Sequence, residues 1–175
     1  HKDRLFVGPA VAWEMTFVEH YRQFGFEEGG PEHQGYAAEL EATKDSVKRM
    51  REAGVRVLIG GDYGLNITPH GSYAKELEYF TRDFGFSPAE ALQAATKHGG
   101  EAFMPGGNLG TLEAGQLADI VMVNGNPLED ITVLQNPDNI PVVIKDGQIY
   151  AGLLRSGSPY LLAAGDLSPL LGAPA

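Results

Sequence analysis

A short run of apolar and β-branched residues, Val55, Val57, Leu58 and Ile59, stops at Gly60-Gly61 and hands the chain to a lone acid, Asp62. Such a run bounded by glycine reads as a strand buried on both faces, the kind found in parallel sheets. Ahead of it lies a helix pattern from residue 31 to about 53, in which Tyr36, Leu40, Thr43, Val47 and Met50 share one face. Lys48, Arg49 and Arg51 fall in its last turns, and Gly54 is the expected stop. A helix that feeds a strand almost directly is the junction of a right-handed parallel crossover, which constrains the chain to an α/β fold. Chemistry in such folds gathers at the carboxyl ends of strands. Asp62 at that address reads either as a metal ligand or general base, or as the cap of a loop.

Elsewhere the patterns are shorter. Residues 4–12 read as an apolar strand broken at Gly8-Pro9, and 13–26 as an aromatic-rich stretch that closes on the loop Glu27-Glu28-Gly29-Gly30-Pro31. A helix is expected from Ser72 or Tyr73, with Leu77, Phe80 and Phe84 as its buried stripe and Gly85 as its end. Ser87-Pro88-Ala89-Glu90 has the makings of a capping box, and the small-sided helix it opens is expected to close at Gly99-Gly100. From residue 107 the pattern changes to short strands: 110–112, 118–123 and 142–150, the last folded on itself at Asp146-Gly147. Beyond Ala151 no period is visible, and an irregular or partly helical tail is expected.

Bulk properties remove several function classes. The net charge is −10 and no basic run exists, so neither nucleic acid nor an anionic membrane surface is expected as a partner. Without cysteines there are no disulfides, thiolate metal sites or cysteine nucleophiles. No apolar stretch is long enough to span a membrane. The opening residues lack the pattern of a signal peptide, and a cytoplasmic location is expected. The chain begins without methionine on a strand already in progress, which suggests a truncated or processed start. Gly-x-Ser-x-Gly is absent, and no Gly-x-Gly-x-x-Gly follows a strand.

The five histidines are not spaced as His-x-His or His-Glu-x-x-His, so no complete metal site is encoded by spacing. His1, His20, His33 and His98 sit where ordinary structural roles account for them. His70 differs: it shares a loop with Asp62 and is flanked by Pro69 and Gly71. It is a candidate for binding or polarising a substrate carbonyl, with a simple turn before the next helix as the alternative.

Four segments in consistent order resemble the amidohydrolase superfamily over roughly residues 4–150. The strand ending in Gly60-Gly61-Asp62 with Thr68-Pro69-His70-Gly71 is similar to its last barrel strand and loop, and 87–96 to the helix that follows. The run 110–121 resembles the return from barrel to small β-domain, and 143–150 the closing hairpin. The nearest flavour is the imidazolonepropionase-like and prolidase-like branch. The resemblance implies that residues 1–106 are the C-terminal part of a (β/α)8 barrel, its last two strands being 5–10 and 55–59. It also implies strands of a small composite β-sandwich in 107–150 and a tail in 151–175. One or two divalent metals, usually zinc, are implied as well. Asp62 would then be a metal ligand and the base that collects a proton from metal-activated water, with His70 and Tyr63 as substrate contacts.

The superfamily's first-strand His-x-His, its bridging lysine or glutamate and its fifth- and sixth-strand histidines have no counterpart here. By the resemblance the chain is about the last two-fifths of such an enzyme. The expected function is hydrolysis of an amide, cyclic amide or related ester bond, with the isolated fragment inactive. The expected partners are a small-molecule substrate and the N-terminal remainder of the barrel, from the same gene or as a separate chain, with a homo-oligomer left open. Two rivals stand beside this reading: a non-catalytic binding or assembly fragment, and a barrel lyase that uses Asp62 without metal.

Overall fold

Gly54 adopts φ +76° and closes the long helix pattern with two bonds, Gly54 N–H to the Arg51 carbonyl (2.8 Å) and Val55 N–H to that of Met50 (2.9 Å). This pairing is a Schellman motif, and it turns the chain straight into the strand that carries Asp62. The structure, a computed structural model, describes residues 4–152. Its first half runs β1 (Phe6–Val7), α1 (Val11–Glu19), α2 (Pro31–Glu52), β2 (Arg56–Val57) and α3 (Ala74–Asp83). Strands β1 and β2 pair in parallel, Phe6 opposite Arg56 and Val7 opposite Val57, with the Arg56 guanidinium 3.9 Å above the Phe6 ring.

Both strands are shorter than the apolar runs suggest. Pro9 has no N–H to offer a ladder, and the chain turns into α1 at Val11. Leu58 N–H still reaches the Val7 carbonyl at 2.8 Å, but Ile59 has no strand opposite it. The expected strand over 4–12 therefore ends at Val7, and much of the aromatic stretch after it is helix α1. Phe17 on that helix stacks on Tyr36 of α2 with ring centroids 4.3 Å apart, and Trp13 and Phe24 close around it.

One apolar core joins these elements: Val11, Ala12 and Met15 from α1, Leu40 and Val47 from α2, Val57 from β2, and Leu77, Tyr79 and Phe80 from α3. Arg51 fastens the end of α2 to the turn after α3. It donates to the carbonyls of Phe84 and Gly85 (3.2 and 3.0 Å), pairs with Glu90 at 2.8 Å and lies 3.8 Å above the Phe86 ring. Within this core Glu76 is completely buried.

Helix α4 (Pro88–Gln93) starts as its sequence promises. Ser87 Oγ accepts from Glu90 N–H and the Glu90 carboxylate accepts from Ser87 N–H, a complete capping box. It does not close at Gly99-Gly100. A π-helical turn (Ala94–His98) leads into α5 (Gly99–Phe103). The glycines serve a close approach instead of a stop. A Cβ on Gly100 would lie 2.6 Å from the Leu109 carbonyl oxygen, and one on Gly110 would lie 2.5 Å from that of Thr96. Residues 110–112 accordingly form a tight crossing under the helix and not the expected strand.

The remaining strands make an antiparallel sheet in the order β3 (Ile120–Met122), β4 (Val142–Lys145), β5 (Gln148–Gly152). Asp146 and Gly147, at φ +50° and +73°, form the expected two-residue turn. The segment between β3 and β4 is not strand: it holds 3₁₀ turns at Ile131–Gln135 and Pro137–Asn139. Ile131 enters the main core, and Gln135 donates to Glu78 of α3 at 2.6 Å, which ties this half to the first. The expected tail lies, beyond Gly152, outside the described residues, as does His1.

Two stability predictions follow from this packing. Gly110→Ala combines φ +92° with the Thr96 overlap and should cost more than about 2 kcal/mol in urea unfolding. Gly106→Ala, at φ +72° with open space around it, should cost about 1 kcal/mol. The second concerns Glu76, whose pKa rises from 4.5 to about 7 because burial penalises the charged form. The folded state then holds its proton more tightly than the unfolded state. Stability on the order of 3 kcal/mol is present below pH 4.5 and is lost as pH rises through about 7. Denaturation midpoints across that window should fall in the wild type and flatten in Glu76→Gln.

Candidate active site at the end of β2

Beyond β2 the chain passes through a crowded strand end. A Cβ on Gly61 would lie 2.8 Å from the Ala12 side chain and 2.8 Å from the Tyr63 ring, so the backbone is clamped between α1 and its own loop. Asp62 follows at φ +54°, a left-handed conformation that costs an L-residue about 1–2 kcal/mol and that Asp tolerates better than most. Its carbonyl accepts from Thr68 Oγ1 at 2.8 Å, and the buried Thr68 also accepts from Gly64 N–H at 2.9 Å. The Asp62 carboxylate itself is exposed, with no hydrogen bond or ion pair among the described residues. A strained backbone that presents an unpaired acid is a pattern concentrated at functional sites.

Tyr63 and His70 meet at Tyr73, just ahead of α3. The Tyr63 hydroxyl donates to the Tyr73 carbonyl and to Glu76 Oε2, both at 3.4 Å, and its ring stands edge-on to that of Tyr73. Burial and then the neighbouring Glu76 carboxyl push the Tyr63 phenol above its ordinary pKa, so it stays a donor. His70 Nδ1 lies 2.7 Å from the Tyr73 hydroxyl, and its Nε2 hangs 3.1 Å from the place a Cβ on Gly64 would take. The three sequence candidates thus share one loop, Tyr63 and His70 through a common partner. Asp62 is held separately, through its backbone.

Three contributors escaped the sequence reading: Thr68, which fastens Asp62, Tyr73, which joins the other two, and Glu76 beneath them. Glu76 precedes Phe80 by four residues, so it lies on the buried face of α3, and that position was its one visible signal. Backbone amides of Ala12, Gly60 and Val11 surround its carboxyl and, with the Tyr63 phenol, oppose the larger effect of burial.

Two further histidines, His33 and His98, do structural work, while His20 is exposed. His33 bonds to Gly29 N–H and the Val18 carbonyl (3.0 and 3.2 Å) and stacks on Tyr21, and His98 faces the Val57 carbonyl. Among the described residues no group of three His, Cys, Asp or Glu side chains could hold a metal ion. The chemistry of the unpaired, exposed Asp62 oxygen pair suits one position in the shell of a divalent cation, and any such ion would need its further ligands from outside the described residues.

Residues 34–150 match the model of the amidohydrolase family. The chain is 33% identical over 116 residues to ochratoxinase of Aspergillus niger, an alignment covering 66% of this chain and 24% of that protein. It is 40% identical over 76 residues to imidazolonepropionase of Aromatoleum aromaticum, covering 43% of the chain and 18% of that protein. The crystal structure of A. niger ochratoxinase superposes with a TM-score of 0.66 at 28% identity, over 78% of this chain and 31% of that one. A Xaa-Pro dipeptidase with methionine bound in its active site superposes at 0.63 and 32% identity, over 82% and 34%. The chain therefore spans between about a fifth and a third of the length of these relatives. With the family match running from the first turn of α2 to the middle of β5, the chain belongs to the amidohydrolase family.

Proposed function

We propose that this chain is the C-terminal portion of a metal-dependent hydrolase that cleaves an amide, cyclic amide or related ester bond. The observation that carries the reading is the Asp62 carboxylate, exposed and unpaired in the loop that follows a parallel strand in a chain of this family. On this reading β1 and β2 are the last two strands of a (β/α)8 barrel whose C-terminal part is residues 1–106, and 107–150 belongs to a small β-sandwich. Both outer edges of the β1–β2 pair lack a strand among the described residues, which is where the N-terminal remainder would pair. The named relatives favour carbon–nitrogen bonds: a Xaa-Pro dipeptidase and an imidazolonepropionase.

Asp62 would be one ligand of a divalent ion, zinc by family precedent, the others coming from the remainder of the barrel. When bound, such an ion would supply Lewis acidity, making water a better nucleophile near neutral pH and polarising a carbonyl. The Asp62 carboxylate accepts the proton released as water adds to the substrate carbonyl, and returns it to the leaving nitrogen or oxygen. His70, with Nδ1 committed to Tyr73, has Nε2 to offer the substrate. Tyr63 would line the same mouth as a ring contact, its phenolic proton held by Glu76 and the Tyr73 carbonyl.

The test joins this chain to its N-terminal portion, in one polypeptide or as two chains, and measures zinc content and turnover on dipeptides and cyclic amides. The 175-residue chain alone should show no turnover, and the joined protein should bind zinc and lose activity to a chelator. Asp62→Asn should lower kcat by about 10²–10⁴-fold. His70→Ala should raise KM about tenfold with a smaller change in kcat, as loss of one substrate hydrogen bond implies. Chelator-insensitive turnover would support a metal-free lyase instead. A stable joined protein with neither zinc nor turnover would support an assembly role.

A further inference from the structure

The carboxyl group of Glu76 does more than fill the core. Helix α1 begins at Ala10 in a left-handed turn, with no side chain capping its free amides. The group that faces those amides comes from α3. Glu76 has no exposed surface, and the backbones of Ala12 and Val11 at the start of α1, and of Gly60 three residues past β2, favour its charged form. Its Oε2 accepts from Tyr63, while Oε1 closes no hydrogen bond of ordinary geometry. A serine or aspartate at the cap position would satisfy a helix start more simply. What a local cap could not do is reach the strand end as well.

We infer that Glu76 is a positioning residue, which holds Asp62 in its ligand pose by fixing the backbone on one side of it through Gly60 and the side chain on the other through Tyr63. The stack is continuous: Ala12 against Gly61, Gly61 under the Tyr63 ring, and Tyr63 on Glu76. Thr68 fastens the Asp62 carbonyl from the opposite side. A left-handed aspartate persists only when its surroundings over-determine it, and Glu76 together with Thr68 supplies that constraint. Groups that orient a metal ligand without touching the metal commonly tune affinity strongly. This inference rests on the reading of Asp62 as a metal ligand.

The test uses the joined protein stripped of metal, titrated calorimetrically with zinc ion alone, with hydrogen exchange followed at residues 60–63. Glu76→Ala should weaken zinc binding about 10- to 100-fold and speed exchange in that segment. Glu76→Gln keeps an acceptor oxygen and should recover most of the affinity. Tyr63→Phe removes one of the two links without touching the helix cap, and should weaken zinc about three- to tenfold. A folded Glu76→Ala that melts at lower temperature but binds zinc as the wild type does would reduce Glu76 to a structural cap and overturn the inference. Should Glu76→Ala fail to fold, Tyr63→Phe decides: wild-type affinity and exchange there overturn it equally. Wild-type protein that takes up no zinc, or Asp62→Ala with undiminished affinity, overturns the ligand reading, and this inference with it. Lost affinity in Asp62→Ala beside full affinity in Glu76→Ala overturns the inference alone.

Discussion

Where the first turn of α1, the end of β2 and the buried face of α3 converge, the free amides of a helix start and a strand end meet one carboxyl group, Glu76. Unsatisfied N–H groups in a core are costly, and so is a buried charge. Placing the acid among the amides offsets both penalties in part, and the raised pKa of Glu76 records what is left over. The arrangement fixes how α3 sits on α1, hence where the loop between β2 and α3 must run. That loop carries every candidate functional side chain of the chain.

Local chemistry was legible wherever a motif closes on itself. The Schellman turn at Gly54, the capping box at Ser87 and the Asp146-Gly147 hairpin each need a few neighbouring residues, and each stands as its residues suggest. Readings failed where a distant segment decided. Gly99-Gly100 looks like a helix stop until Leu109 arrives beside it, after which the missing side chain is a packing requirement. The apolar run from 55 to 59 looks like a full strand, yet its ladder ends where Pro9 and α1 take its partner away. Gly110 looks like the start of a strand because glycine at a crossing and glycine at a turn are written identically.

The candidate site divides the same way. Asp62 could be proposed because a lone acid after an apolar run and two glycines is conspicuous in one dimension. Tyr63 and His70 lie within the same loop and came with it. Glu76 could not be singled out: an acid in an amphipathic helix is ordinarily at the surface, and Glu78 two residues on is a partly exposed one. What separates the two is which face of α3 each occupies, and Leu77 between them belongs to the buried side as well. Periodicity alone leaves that boundary ambiguous at the first turn of a helix.

Two non-glycine residues in left-handed conformation bracket this arrangement, Ala10 at the exit from β1 and Asp62 at the exit from β2. Each lies a few residues past a parallel strand, Ala10 next to the Val11 amide and Asp62 two residues after the Gly60 amide, both of which face Glu76. Past Ala10 the first residues of α1, Val11 and Ala12, are buried, whereas at the second turn the Asp62 side chain is exposed. One buried carboxyl between them can serve both only if the two strand exits are in register, which the pairing of Val7 with Val57 provides. The short parallel ladder, slight as a source of stability, is therefore the element that brings a helix cap and a candidate ligand to the same point.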